Sequence, residues 1–570
     1  MMKQRILKLK NMIIKYNLDG YIVPKNDAYF SEFSFPNRLK TISNFSGSAG
    51  FAVILKKENY LFVDGRYTIQ AKIQSGRYFK IIEIPKFSPK KILNNFKKKL
   101  SLGFDPQLFT NLTLKKKFYD VCNLIPINEN LIDKIFKEKE KKKIRLFYNI
   151  NEKNTGESVN SKINRLLKKL KSKNIENIFI SAPENVAWLL NLRGKDNPHS
   201  PIPNCKIILT NKKKIFFFSC PKKIILMKKN KIYKNFMFCE YHNFSKIIKK
   251  LNGKNFCIDD LTCSVSNESI IKKIFSIKYY TDPCYLMKSI KTQKEINNMI
   301  NAHVEDGLAL TKFIFWIKFL NKKKITEIDA LKKLEKFRKL NKNYLFPSFS
   351  TIAGTGSNGA IVHYHVSKKS NRTIKKKDIF LCDSGGQYKY GTTDVTRTIC
   401  FSQQHNSIKN VYTKVLKGHI AVATTDFKKF KNGKQIDVRA RKYLKEDNLD
   451  YAHGTGHGVG FFLNVHEGPQ SISKNNTIKL KEGMILSNEP GYYKKDCYGI
   501  RIENLVYIKK NKKKLQFENL TLAPLEKNLI NYDLLSKNEK NYLFKYHLNI
   551  YSTYSNFLNL KERKWLASLI

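Results

Sequence analysis

No apolar run in the 570 residues approaches the roughly 18 uninterrupted positions that a membrane-spanning helix needs. Lys or Asn breaks every one, including the long stretch around Trp316, so no spanning helix is expected. The first 24 residues, MMKQRILKLKNMIIKYNLDGYIVP, are basic but have neither a long apolar core nor a small-residue cleavage site. Their apolar residues recur at helical spacing and run into a strand-like YIVP, which predicts an ordinary helix and strand rather than a secretory leader. The ten cysteines are scattered, without a CxxC pair. That pattern excludes a disulfide framework and suits reduced core thiols in a cytoplasmic protein. Acid is scarce as well: 46 Asp and Glu against 107 Lys and Arg leave a net charge of +61. Such an excess raises nucleic acid or an acidic membrane surface as a partner. Yet Lys, Asn, Ile, Phe and Tyr are spread through strands, loops and linkers alike instead of forming one basic stripe. The excess therefore reads as compositional drift, and no specific nucleic-acid or membrane partner is expected.

What remains is a chain able to bury cores, at 42% hydrophobic and 27% charged residues, and too long for a single one. An α/β unit is expected over residues 1–145, with strands GYIVP, FAVIL and NYLFVDGRY and helices near 6–16 and 89–100. A charged run at 137–145, KEKEKKKIR, reads either as a linker or, equally, as a solvated helix. A second α/β unit, 146–288, repeats the order helix, strand, Gly-terminated helical step and strand hairpin, which indicates an internal duplication. From 289 to 510 long amphipathic helices, one with a capping box from Thr326 to Asp329, alternate with Gly-punctuated strands. Residues 511–570 form a basic, aromatic-rich extension with helical spacing.

Histidine locates the chemistry, because seven of the eleven lie between 363 and 466. Asp383 ends the buried-strand pattern DIFLCD, and Asp394 follows 11 residues later, after the turn-forming SGGQYKYG. Two strands joined by that loop can pair antiparallel and bring the two carboxylates together. Glu489 closes the strand GMILSNEP. Glu503 shares a strand face with Arg501, opposite Ile500 and Ile502. Carboxylates gathered in a sheet interior resist ionisation unless a cation compensates. Four of them with one imidazole make an oxygen-rich donor set suited to Mn²⁺, and also to Co²⁺, Fe²⁺ or Zn²⁺. Cys382 falls on the strand face opposite Asp383 and is not expected to be a ligand.

The strings TIAGTGSNGAIVHY, LCDSGGQYKYGTTDVTRT, HGTGHGVG with VHEGP, SNEPGYY and RIENLV closely resemble the catalytic motifs of the Xaa-Pro aminopeptidases (aminopeptidase P), of the creatinase, prolidase and methionine aminopeptidase superfamily. ISNFSGSAG with VDGRYTIQA, ENVAWLLNLRG, and NEKNYLFKYH with KERKWLASLI resemble the other domains of the long, three-domain cytosolic form. The resemblance implies an α/β (α+β) architecture, with two creatinase-type N-terminal domains, a pita-bread metallopeptidase domain and a C-terminal extension. It implies that Asp383, Asp394, His457, Glu489 and Glu503 ligate two divalent metal ions, with Asp394 and Glu503 bridging. A hydroxide between ions about 3.5–4 Å apart would be the nucleophile. Glu489 would carry the proton to the leaving prolyl nitrogen. His363 and His466 would bind substrate and stabilise the developing charge, with His453 and Arg501 lining the site. His365, His405 and His419 match nothing catalytic and are read as structural. The implied reaction is release of the N-terminal residue from peptides with proline second, by a cytoplasmic homodimer. The alternatives are a prolidase acting on Xaa-Pro dipeptides and a non-catalytic pita-bread module binding basic or nucleic-acid partners. The N-terminal domains and C-terminal extension disfavour the first, and the complete ligand set disfavours the second.

Overall fold

A computed structural model describes residues 2–33, 35–136, 146–229, 236–320 and 324–570. The charged run at 137–145, and with it the expected linker and the 145/146 boundary, lies outside them. The chain divides into two compact units. One holds Met1–Ile150, Glu157–Pro198 and Ile202–Tyr285; the other holds Asn151–Gly156, His199–Pro201 and Leu286–Ile570.

The first unit contains two six-stranded sheets. In the first, the strands lie in spatial order Lys80–Ile84, Asn59–Asp64, Phe51–Leu55, Gly20–Pro24, Leu100–Phe104 and Cys122–Pro126. The second runs Phe236–Glu240, Ile215–Ser219, Lys206–Thr210, Asn177–Ile180, Asn255–Ile258 and Ser276–Tyr279. Numbered along the chain, both follow the order 4-3-2-1-5-6. In both, the first three strands pair antiparallel and the remaining pairings are parallel. The repeat read from element order is thus a repeat of sheet topology. Both faces of the first sheet are apolar. Tyr21, Val23, Ile54 and Leu61 pack with Ile6, Leu9 and Ile13 of the helix Met2–Lys15, while Ile22, Val53, Leu55 and Phe62 pack with Leu102 and Phe104 on the other side. The helix expected at 89–100 is confined to Pro89–Leu93. Leu100, helically spaced from Leu93 and Phe96, instead opens a strand and pairs with Cys122.

In the second unit the helix Gln293–Phe315 starts at a capping box formed by Thr292 and Glu295, and Glu327–Lys339 starts at the one formed by Thr326 and Asp329. Leu310, Phe313 and Ile314 of the first helix and Ala330 and Leu334 of the second pack against Ala353, Phe380, Cys382, Val395 and Ile399. Those residues belong to a three-stranded sheet, Ile352–Thr355, Ile379–Ser384 and Val395–Cys400. A five-stranded sheet comprises Glu467–Ile472, Gly456–Gly458, Ile485–Asn488, Asn504–Asn511 and Lys514–Asn519. One of its faces is covered by Val422, Ile436 and Ala440 of the helices Asn406–Ala423 and Gly433–Lys445, the other by Ile296 and Met299. The C-terminal helices Lys537–Tyr554 and Leu560–Ala567 contribute Tyr546, Ile550, Tyr554 and Leu566 to a cluster with Tyr412, Leu416, Ile420, Ile500 and Ile502. The ten cysteines are free thiols, eight of them buried.

Candidate metal centre

Strand pairing assembles the acids. Ile379–Ser384 and Val395–Cys400 are antiparallel with Asp383 opposite Thr396, so Asp394 enters its strand beside Asp383. Ile485–Asn488 pairs with Asn504–Asn511, setting Asn488 opposite Asn504 and placing Glu489 and Glu503 just beyond the same end of that pair. His457 lies on Gly456–Gly458, the neighbouring strand of the sheet. That strand packs closely: a Cβ on Gly456 would meet the carbonyl oxygen of Ser487 at 1.9 Å. His363 follows the turn Gly356–Ala360, which is brought to the strand Tyr498–Arg501 by a backbone approach so tight that a Cβ on Gly499 would lie 1.9 Å from Gly359 O.

Ligand-type atoms of Asp394, His457 and Glu503 all lie within 4.8 Å of one another. His457 Nε2 is 3.4 Å from Asp394 Oδ2 and 3.5 Å from Glu489 Oε1. Its Nδ1 is 2.9 Å from Gly458 O, and since a carbonyl only accepts, Nδ1 carries a proton and Nε2 is the ring atom that faces the acids. Asp383 Oδ2 accepts from Arg501 Nη2 at 2.6 Å. Asp383 Oδ1 and Asp394 Oδ1, both buried, have no hydrogen-bond partner among the described residues. Glu503 Oε2 accepts from Thr396 Oγ1 at 2.7 Å, and Glu489 Oε1 from Ser487 Oγ at 3.1 Å.

The electrostatics follow from this crowding. Burial, and then the charges of Asp383 and Glu489, push the Asp394 carboxyl up to about 6 despite its interaction with His457. Burial and the charges of Asp394, Glu489 and Asp383 hold Glu503 well above the usual carboxylate range. Burial alone would depress His457, but Asp394 and Glu489 lift it to about 9. Clustered carboxylates with bare, buried oxygens and an imidazole whose Nε2 faces them fit a divalent cation, because a cation would displace the Nε2 proton, relieve the repulsion and fill the empty acceptor positions.

Around this cluster, Arg501 donates to Thr396 Oγ1 at 3.1 Å and to Tyr493 Oη at 2.5 Å, and Tyr493 Oη lies 2.9 Å from His453 Nε2. The His466 ring stands edge-on to His457, with centroids 4.3 Å apart. His363 is half-buried; its neighbour Tyr364 donates to the buried carboxylate of Glu327 at 2.9 Å. His405 caps the helix Asn406–Ala423, His419 is buried with Nδ1 donating to Asn488 O at 3.1 Å, and His365 is exposed. Cys382 packs in the apolar cluster behind the sheet. Sequence reasoning overlooked Thr396, Ser487 and Tyr493. Thr396 could have been found, because it lies two residues from Asp394 and so shares its strand face. Tyr493 carried no such signal.

Comparison with known proteins extends over the whole chain. The model of metallopeptidase family M24 matches residues 297–510, models of the creatinase/prolidase N-terminal domain match 5–135 and 138–295, and that of the C-terminal region of peptidase M24 matches 513–569. Xaa-Pro aminopeptidase 1 of Dictyostelium discoideum is 35% identical, over 100% of this chain and 96% of the relative. Xaa-Pro aminopeptidase ApepP of Drosophila melanogaster is 34% identical, over 97% of this chain and 94% of its own length. Among solved structures, the X-prolyl aminopeptidase of Caenorhabditis elegans, described as a cytosolic enzyme with a di-nuclear active site, superimposes with a TM-score of 0.92 at 29% identity, covering 100% of this chain and 99% of that one. A prolidase from Pyrococcus furiosus covers 63% of this chain, with a TM-score of 0.50 at 25% identity.

Proposed function

The chain belongs to the Xaa-Pro aminopeptidases, and we propose that it is a metal-dependent exopeptidase releasing the N-terminal residue from peptides whose second residue is proline. Its architecture is the family's: two creatinase-type N-terminal domains, a pita-bread metallopeptidase domain and a C-terminal extension. Domain limits of 1–145, 146–288, 289–510 and 511–570 are proposed on the same matches. The observation that carries the activity is the convergence of Asp394, His457 and Glu503 beside two buried, partnerless carboxylate oxygens.

Asp383, Asp394, His457, Glu489 and Glu503 would hold two divalent metal ions, with Asp394 and Glu503 shared between them. Once bound, these ions supply Lewis acidity towards the scissile carbonyl and lower the pKa of a water to near neutrality. The chain's own groups do the rest. Glu489, held at Oε1 by Ser487, takes the proton of the attacking water and delivers it to the leaving prolyl nitrogen. His466 and His363 donate hydrogen bonds to substrate oxygens as negative charge develops. Arg501 fixes Asp383 and, through Tyr493, the ring of His453. We propose Mn²⁺ as the metal, on the oxygen-rich donor set. A cytoplasmic location is supported by the description of the nematode relative as cytosolic. No helix among the described residues is long and apolar enough to cross a membrane. A homodimer is supported by exposed Phe544, Leu548, Phe557 and Leu560 on the C-terminal extension. Light scattering tests it, and a monomer at all concentrations would reject it.

The test of function is a matched set of peptides. Chelator-treated protein resupplied with Mn²⁺ should remove one residue from a tripeptide with proline second and leave its alanine counterpart uncut. Cleavage confined to Xaa-Pro dipeptides would make it a prolidase instead.

A further inference from the structure

Glu503 occupies an irregular place. The strand Tyr498–Arg501 ends two residues before it and Asn504–Asn511 begins one residue after it, so Glu503 lies outside both ladders. A buried peptide there must find its partners elsewhere. Its N–H reaches Thr396 O at 3.2 Å, and its carbonyl accepts from Arg397 Nη1 at 2.7 Å. The same Nη1 donates to Thr396 O at 2.8 Å. Arg397 thus ties together the backbones of the two residues whose side chains meet at the Thr396–Glu503 hydrogen bond.

Arg397 is 1% exposed, and its five N–H groups go to neutral oxygens. Beyond Thr396 and Glu503, Nε donates to Pro524 O at 2.9 Å, and Nη2 lies 2.8 Å from Asn504 Oδ1, 2.8 Å from Ala523 O and 3.0 Å from Tyr546 Oη. Tyr546 projects from the C-terminal helix Lys537–Tyr554, and its hydroxyl is also 2.9 Å from Ala523 O. A guanidinium is a rigid planar fork, so fixing one edge fixes the other. The chain of contact runs from the C-terminal helix through Tyr546 and Arg397 to the backbone of Glu503. We infer that the C-terminal extension serves the metal centre, with Arg397 and Tyr546 as positioning residues that hold the Glu503 carboxylate in register with Asp394 and His457.

This inference rests on the proposed role of Glu503 as a metal ligand. It is tested by Mn²⁺ titration calorimetry on the full chain after chelator treatment. Tyr546→Phe removes one oxygen and keeps the ring. It should weaken Mn²⁺ binding about tenfold, and Arg397→Lys, which cannot span both carbonyls, towards a hundredfold, the range seen when groups supporting metal ligands are lost. Tyr554→Phe is the control for a merely structural contribution. Tyr554 sits on the same helix, also buried, with its hydroxyl 3.0 Å from Leu522 O, and the loss of that hydroxyl should leave Mn²⁺ affinity unchanged. If Tyr546→Phe binds Mn²⁺ no more weakly than Tyr554→Phe, the inference is overturned, whether or not Arg397→Lys folds. Glu503→Gln separates the two levels. Wild-type Mn²⁺ binding in that variant would refute the ligand assignment itself. Weakened binding there with none in Tyr546→Phe would refute only the positioning role.

Discussion

Two sets of buried acids invite comparison. In the first unit, Asp105 accepts from Gln107 N and Asn130 Nδ2, both at 2.9 Å, and Asp282 accepts from Cys284 N at 2.9 Å and Asn185 Nδ2 at 2.7 Å. Asp259 likewise uses one oxygen for Leu261 N and the other for Asp282 N. Each of these six oxygens has a donor; buried Glu268 of the same unit keeps Oε2 bare among the described residues, while its Oε1 accepts from Tyr279 Oη at 2.6 Å. In the second unit, Asp383 and Asp394 each keep one buried oxygen with none, and four carboxylates share the neighbourhood of one imidazole. Titration alone does not separate the sets, since burial pushes Asp282 up to about 6, where Asp394 also stands. The partners do: a buried acid surrounded by N–H groups is finished, and one facing other acids awaits a cation.

Removing an acid of the metal cluster should have the largest effect. Asp394→Ala and Glu503→Ala should each abolish turnover while the circular dichroism spectrum stays native. Near-wild-type turnover of either at saturating Mn²⁺ would contradict the two-metal assignment. His466→Ala and His363→Ala should retain both metal equivalents yet lose about 10²–10³-fold in kcat, the scale of one charge-stabilising donor. Loss of an equivalent would move that histidine among the ligands. Asp282→Ala should do the reverse. Turnover per folded molecule and metal content stay as in wild type, while urea unfolding shows a loss of about 1–3 kcal/mol from the stranded donors. A drop in metal content would erase the distinction between the two regions.

A gentler effect comes from three histidines of the second unit that stay neutral. Burial lowers His303 and His547 to about 4 and His419 to about 3. The unfolded chain protonates these rings near 6.5, whereas the folded chain refuses the proton, so their contribution is complete above pH 6.5. It declines as the pH falls from there towards 4, and for His419 towards 3. The raised carboxyls of Asp394, Glu503 and Asp282 act in the opposite sense, so the histidine contribution is read as a difference: on acidification below pH 6.5 the melting temperature of metal-free wild type should fall relative to that of His419→Gln. An unchanged slope in that variant would show that His419 does not contribute.

Much of this was legible in the sequence, for identifiable reasons. The two sheets of the first unit follow from strands whose apolar residues face both ways, and the equal order of elements carried over into equal topology. Asp383 and Asp394 could be placed together because an antiparallel pair joined by a Gly-rich loop leaves few other arrangements. The strand expected to run unbroken through Arg501 and Glu503 is interrupted at 502–503, because the Arg397 side chain donating to Glu503 O and the Thr396 carbonyl accepting from Glu503 N replace the ladder there. Those partners sit more than a hundred residues away, and no local pattern announces them. Helical spacing misled at Leu100 for the same reason: pairing with Cys122 outweighs a weak local preference.

If the bare carboxylate oxygens of Asp383 and Asp394 exist to hold metal, Mn²⁺ titration of the chelator-treated, folded chain will show it, with Asp282→Ala and Asp394→Ala measured alongside. Two equivalents should bind per chain in the wild type and in Asp282→Ala, with fewer in Asp394→Ala. One or no equivalent in the wild type, or equal binding by Asp394→Ala, would contradict the account.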